Sequence, residues 1–213
     1  MVLLVNEIFF SLQGESTYAG LPCTFVRLTG CNLRCSYCDT PYAYEEGTSM
    51  PVEEVLDLVR PRVGHLVEIT GGEPLLQAAT PLLIEKLLQR GHKVLVETNG
   101  SLDLSRLPPE AVCVLDMKCP SSGMSDRMDR GNLRRLRARD EVKFVIGDQQ
   151  DYRWAKSCLE DLPRPTANPL LFSAAWPRLE PRLLAEWILA DELPVRLQVP
   201  LQRVLWPEAR RGK

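Results

Sequence analysis

Six short apolar runs rich in β-branched residues alternate with stretches of helical spacing, and this alternation constrains the chain more than any other feature. The runs are Cys23–Thr29, Leu66–Thr70, Lys93–Thr98, Val112–Met117, Val142–Ile146 and Leu170–Ser173, each with the length and composition of a buried strand. Between them lie amphipathic segments. Val52–Val59 is opened by Pro51 with Glu53 and Glu54 in its first turn, and Pro81–Arg90 has Thr80 as its N-cap and Gly91 as its stop. Asp148–Leu162 and Pro181–Asp191 complete the set, with Arg130–Arg137 as a short basic turn. Such alternation predicts parallel strands joined by right-handed crossovers. The 213 residues fall short of the eight strands and ~250 residues of a full barrel. The expectation is one α/β domain over 1–213, a partial (β/α) barrel of about six parallel strands. Leu3–Leu12 and Val195–Val199 read as outer strands, and the Arg-Arg-Gly-Lys end as a solvated tail.

Composition narrows the partners. Lys and Arg number 26 against 28 Asp and Glu, a net charge of −2, so the basic excess of a nucleic-acid binder is missing. Charged or polar residues interrupt every apolar run before the ~20 residues of a membrane span. The N-terminal MVLLV has no basic flank and meets Asn6 and Glu7 too early for a secretory signal. A cytoplasmic location is expected.

Seven cysteines, an odd number without an export signal, disfavour a disulfide framework. Cys23, Cys113 and Cys158 read as small buried hydrophobes, and Cys119 stays undecided. Cys31, Cys35 and Cys38 crowd into one octet, at spacings of four and three. Thiolates suit zinc or iron–sulfur. Structural zinc closes with four ligands, whereas the two histidines, His65 and His92, lie at the starts of predicted strands, on the opposite rim. Three cysteines leave one metal open, which favours a [4Fe–4S] cluster with a substrate-facing iron. In a parallel α/β sheet, chemistry gathers in loops after the strand ends. Gly30–Tyr44, Gly71-Gly72-Glu73-Pro74, Asn99-Gly100-Ser101 and Lys118–Met124 all fall there.

Cys31-x₃-Cys35-x₂-Cys38 with Tyr37 before its last cysteine resembles the radical S-adenosylmethionine signature, and Gly71-Gly72-Glu73-Pro74 resembles that superfamily's GGE motif. Phe10-Ser-Leu-Gln-Gly-Glu15, Cys38-Asp39-Thr40, Lys118-Cys-Pro-Ser-Ser-Gly-Met124, Arg27 and Thr70 narrow the likeness. They resemble the 7-carboxy-7-deazaguanine synthase family over more than half of the chain. That resemblance implies rearrangement of 6-carboxy-5,6,7,8-tetrahydropterin to 7-carboxy-7-deazaguanine with loss of ammonia, on the route to queuosine and related 7-deazapurines. It implies a [4Fe–4S] cluster on Cys31, Cys35 and Cys38, S-adenosylmethionine as cofactor, Mg²⁺ at Thr40, a homodimer, and a reductant such as flavodoxin or ferredoxin. S-adenosylmethionine would meet Tyr37, Cys38, Asp39, Gly72, Glu73, Asp116, Met117, Lys118 and Ser121. The pterin would meet Leu12, Gln13, Gly14, Glu15, Arg27, Thr70, Gln202 and Pro207.

Each role has a rival. Glu15 fits a pyrimidine edge as a bidentate acceptor, or is a surface carboxylate at a strand end. Arg27, inside an apolar strand, needs an anion: the substrate carboxylate, or a salt bridge to Glu7 or Glu68. Glu73 either meets the cofactor or caps its loop, and Lys118 is either a ligand or a solvated lysine. Two positions depart from the family pattern: Ser16 where glycine commonly follows Gln-Gly-Glu, and Gln202-Arg203 where a His-Lys segment is common. Two other readings compete: a radical activase forming a glycyl radical on a partner protein, and a non-enzymatic zinc or iron–sulfur binding module.

Overall fold

A computed structural model describes residues 1–59, 66–162, 166–209 and 211–212. Among them nine strands form one sheet in the order β3-β1-β2-β4-β5-β6-β7-β8-β9. The strands are β1 (Val2–Leu12), β2 (Pro22–Leu28), β3 (Thr48–Pro51), β4 (Leu66–Gly71), β5 (Lys93–Thr98), β6 (Val112–Met117), β7 (Glu141–Ile146), β8 (Leu170–Ala174) and β9 (Arg196–Gln198). β2 and β4 through β9 run parallel. β1 joins antiparallel to β2 and to β3. The fold is the expected α/β partial barrel, with the segment at Val195–Val199 joining as a seventh parallel strand. β3, with sequence TSMP and mostly exposed, carries no apolar alternation and is found only as the edge partner of β1.

The helices are α1 (Val52–Leu58), α2 (Thr80–Gln89), α3 (Asn132–Arg135), α4 (Gln149–Glu160), α5 (Pro181–Ala190) and α6 (Leu201–Leu205). α4 begins where Asp148 accepts from the Asp151 N–H, an N-cap satisfying one of the helix's unpaired donors. α2 starts one residue earlier than its spacing suggests. Ala79 holds the N-cap position, and Thr80 lies inside the first turn with its hydroxyl donating to the Pro74 carbonyl at 2.6 Å. Gly91 stops α2 at φ +82°, a conformation glycine adopts without steric cost. The basic segment Arg130–Arg137 condenses to the single turn α3.

Strand periodicity sorts the two faces of the sheet. Val26, Leu28, Val67, Ile69, Val94, Val96, Leu115 and Phe144 point toward the helices and form the main core with Leu83, Ile84, Leu87 and Leu184. On the concave face, Cys23, Phe25, Leu66, Leu95 and Val112 make a smaller apolar plug with Phe9 and Tyr18. Farther along that face the residues turn polar: Arg27, Glu68, Thr70, Glu97, Asp116, Lys143 and Ser173. Cys23, Cys113, Cys119 and Cys158 are buried; the last three sit in the main core, so the undecided Cys119 packs as a hydrophobe. The β1–β2 loop crosses the open side of the sheet. Ser16 N–H donates to Gln198 at 2.7 Å and Thr17 N–H to Glu141 at 3.0 Å, tying the first hairpin to β7 and β9.

Of the Arg-Arg-Gly-Lys end, Arg210 and Lys213 lie outside the described residues, and Arg211 is exposed as expected while making surface contacts. Arg211 pairs with Glu46 at 2.8 Å and lies 4.1 Å over the Tyr42 ring, a cation–π contact on an aromatic face. His65 lies outside the described residues. His92 precedes β5 at the opposite end of the sheet from the cysteine loop.

Candidate active site

A cavity of about 230 Å³ opens at the carboxyl ends of the parallel strands, where the four loops that follow β2, β4, β5 and β6 converge. At its mouth lie Cys31, Cys35 and Cys38, each partly exposed. The backbone explains why the cysteine loop and the glycine motif face each other there. Gly72 N–H donates to the Leu28 carbonyl at 3.1 Å and Glu73 N–H to the Gly30 carbonyl at 2.7 Å. A Cβ at Gly72 would strike the Gly30 carbonyl and Cys31, so only glycine admits this approach.

Cys31 Sγ accepts from Leu33 N–H at 3.5 Å and from Asn99 Nδ2 at 3.8 Å. Burial raises the Cys31 thiol above its usual range and lifts Cys35 to about 11. Metal loading therefore releases protons here. A set of three soft thiolates around a partly open cavity fits a [4Fe–4S] cluster with one iron left for another ligand.

Asp116 supplies the second test of fit. Its Oδ2 pairs with Lys118 Nζ at 2.6 Å, while Oδ1 is buried in the cavity wall without a hydrogen-bond partner. Burial opposes its charge, but Lys118 and Lys143 override burial and hold the carboxyl below its usual range. An unpaired buried acceptor beside a lysine suits a ligand hydroxyl, in keeping with a ribose there. The Lys118 side chain is only 15% exposed and ion-paired with Asp116, so its reading as a solvated lysine falls.

Tyr37, Cys38, Asp39, Thr40, Gly72, Asp116 and Lys118 line the cavity with Leu12, Gln13, Gly14, Glu15, Arg27, Thr70 and Gln202. Four expected residues do not. Glu73 is fully buried behind the wall, accepting from Leu75 N–H, Thr98 Oγ1 and Asn99 N–H at 2.9, 2.8 and 2.7 Å. Its carboxylate is thus occupied bracing the β4 and β5 loops, in line with the capping alternative. Met117 points into the main core, because strand alternation sends it to the face opposite Asp116. The Ser121 hydroxyl is spent on Asp151. Pro207 is exposed, and Pro200, at the head of α6, lines the cavity in its place.

Arg27 makes the salt bridge to Glu7 that is one of its two readings, and leaves the anion-binding reading open. Its Nε donates to Glu7 at 2.8 Å, and Glu7 also accepts from Tyr42. The guanidinium still lines the cavity wall, with two amino groups beyond that bond for an anion. Thr40 Oγ1 donates to Asp39 at 2.7 Å.

Motif matching misses most of the floor. Lys143 ion-pairs with Glu15 at 2.8 Å, with Glu97, and with Asp116 at 3.7 Å. Glu15 also accepts from Gln198 and Gln202, each at 2.9 Å; it is no surface carboxylate. Glu68 accepts from Gln13 and is pushed up to about 8 by burial, reinforced by Glu97 and Glu15. The sequence does carry a signal: Lys143, Glu68 and Glu97 each stand inside an apolar strand run, as Arg27 does. Buried charges are rare unless paired or functional.

The description "Radical SAM superfamily" matches residues 25–116. A 7-carboxy-7-deazaguanine synthase of Chlorobaculum tepidum is 44% identical over 212 residues, covering 98% of this chain and 96% of that one. One from Koribacter versatilis is 40% identical over 223 residues, covering 98% and 99%. The crystal structure of QueE from Escherichia coli shares the fold, with a TM-score of 0.73 at 22% identity over 93% of this chain and 95% of that one. With near full-length identity of this order, the chain belongs to the 7-carboxy-7-deazaguanine synthase family.

Proposed function

We propose that this protein is a radical S-adenosylmethionine carbon–nitrogen lyase, rearranging 6-carboxy-5,6,7,8-tetrahydropterin to 7-carboxy-7-deazaguanine with loss of ammonia, for queuosine and 7-deazapurine synthesis. The observation that carries the reading is a single cavity with three thiols at its mouth, an arginine on one wall and a carboxylate–amide floor. The near full-length relatives of that name support it. A glycyl-radical activase would need an open face for a protein partner, whereas these polar groups line a cavity. A zinc or iron–sulfur binding module gives no account of the buried charges below the thiols.

Cys31, Cys35 and Cys38 would hold the [4Fe–4S] cluster. Gly72, Tyr37, Cys38, Asp39, Asp116 and Lys118 would hold S-adenosylmethionine, Glu73, Met117 and Ser121 acting through the loops they brace. When bound, the cluster and S-adenosylmethionine would supply radical chemistry, the abstraction of a hydrogen atom from the substrate. The chain's own work is orientation and exclusion of competing reactions. Arg27 would grip the pterin carboxylate through its free amino groups, while Glu7 keeps the guanidinium in place. Gln13, Glu15 and Gln202 would meet the pyrimidine edge, with Leu12, Gly14 and Thr70 closing the walls. Thr40 would give Mg²⁺ one oxygen, the ion keeping water and substrate oxygens for the rest. A homodimer, a flavodoxin- or ferredoxin-type reductant and a cytoplasmic location complete the proposal. No helix among the described residues is long and apolar enough to cross a membrane.

A carboxylate pair of this kind is worth ~2–5 kcal/mol when one partner is removed. Wild-type protein should therefore bind carboxytetrahydropterin far more tightly than tetrahydropterin lacking the carboxylate. Arg27→Met should erase most of that preference while keeping the cluster spectrum. If the variant discriminates between the two pterins as wild type does, the assignment of Arg27 fails.

A further inference from the structure

Lys143 belongs to no motif, yet it is the hub of the cavity floor. Its side chain is 6% exposed on a strand whose neighbours Val142 and Phe144 are buried and apolar. Three carboxylates converge on its ammonium, from the β1–β2 loop (Glu15), β5 (Glu97) and β6 (Asp116). Burial opposes the charge, but these partners outweigh it and hold Lys143 protonated well above its ordinary range. An apolar residue in such a place is often as stable as a buried ion pair or better. The network therefore calls for a purpose beyond stability.

Glu15 shows what that purpose is. It stands on a loop rather than in a strand, so the sheet does not aim its side chain. Gln202 donates to Oε1, while Gln198 and Lys143 donate to Oε2. An ionised carboxylate has about four acceptor sites, and three of these are filled from within the protein. Lys143 alone contributes charge, and charge-assisted hydrogen bonds are roughly twice as strong as neutral ones. We infer that Lys143 is a positioning residue: with Gln198 and Gln202 it fixes the Glu15 carboxylate, so that the remaining acceptor direction faces the cavity and selects ligands that present an N–H edge. This deepens the proposed function and rests on its placing of the pterin ring at the floor. A site with a fixed polar acceptor rejects mismatched ligands more strongly than one whose acceptor can swing.

The test uses reconstituted holoenzyme of wild type, Lys143→Met, Glu15→Gln and the double variant. Each is titrated separately with carboxytetrahydropterin and with S-adenosylmethionine. Each single change should weaken the pterin at least about tenfold, and the double variant should be no weaker than the worse single one, because the two residues act as a unit. S-adenosylmethionine affinity should stay within about twofold in Glu15→Gln. In Lys143→Met it should fall by a clearly smaller factor than the pterin's, because Asp116 loses a neighbour at 3.7 Å but keeps Lys118 at 2.6 Å. General loosening of the site would lower both ligands alike. Without any pterin, hydrogen exchange at the Glu15–Thr17 amides should rise about tenfold in Lys143→Met, with the mouth loops unchanged. Losses that multiply in the double variant, a parallel loss of S-adenosylmethionine binding, or unaltered exchange would each overturn the inference. Should wild type itself ignore the pterin, the substrate reading falls and the exchange arm decides the role of Lys143. If Lys143→Met does not fold, Lys143→Met/Glu97→Gln, which removes one charge of each sign, takes its place in every arm with the same expectations.

Discussion

The mouth and the floor of the cavity are built on opposite plans. At the mouth, the three thiols come from one stretch of eight residues, and backbone contacts with the glycine loop shape their setting. At the floor, Glu68, Glu97, Asp116, Lys143 and Gln198 come one from each of five parallel strands. Loop residues near in sequence can bind a compact group such as a metal cluster. Side chains spread across several strands can meet something wide and flat. On the proposed function, the plans divide the labour between generating a radical and choosing what it attacks.

The division is broken most severely at the mouth. Changing Cys31, Cys35 or Cys38 to Ala should abolish the iron–sulfur absorbance and S-adenosylmethionine cleavage together. Cys23→Ala and Cys158→Ala, both buried and absent from the cavity lining, should keep both. Anaerobically prepared protein carrying stoichiometric zinc and no acid-labile sulfide would contradict this.

At the floor the effect is graded and depends on pH. Glu68 keeps its proton in the fold up to about 8, against an ordinary 4.5. The folded protein then binds a proton that the unfolded chain has released. Its contribution is full below the ordinary carboxylate range and declines as pH rises through about 8, by roughly 1 kcal/mol per pH unit. Glu68→Gln preserves an acceptor for Gln13 and should flatten stability over that window. Urea unfolding at a series of pH values reads the slope; an unchanged slope in the variant would place the ionisation elsewhere.

The smallest effect belongs to the loop that joins floor to hairpin. Ser16 stands at φ +62°, where any residue with a Cβ is strained by ~1–2 kcal/mol. Its hydroxyl accepts from Tyr18 N–H at 3.1 Å, which offsets part of that cost. Ser16→Gly should change stability by less than about 1 kcal/mol, the gain in backbone freedom and the lost hydrogen bond nearly cancelling. Ser16→Val, β-branched in a left-handed conformation, should cost ~1–3 kcal/mol more than the glycine variant. Equal melting curves for the two would show that the strain is absent.

The same contrast explains how much of the molecule is legible in its sequence. The strands and the cysteine loop can be read because their signals are local: β-branched runs, caps, and thiols at short spacing. β3 and α6 lack such signals, one being a polar edge of four residues and the other a helix of five. The motif alone assigns Glu73 to the cofactor, but strand ends bend its carboxylate behind the wall onto Thr98 and Asn99. Arg27 stands out as a charge within an apolar strand, and Lys143, Glu97 and Glu68 carry that same mark. Their convergence is a property of register between strands, which no single run reveals.

On the proposed function, mouth and floor together turn one pterin into one deazaguanine. Reconstituted protein, reduced anaerobically and incubated with S-adenosylmethionine and carboxytetrahydropterin, should yield a product lighter than the pterin by one ammonia, as read by mass spectrometry. Cleavage of S-adenosylmethionine with the pterin recovered unchanged would contradict the account and bring the activase reading forward.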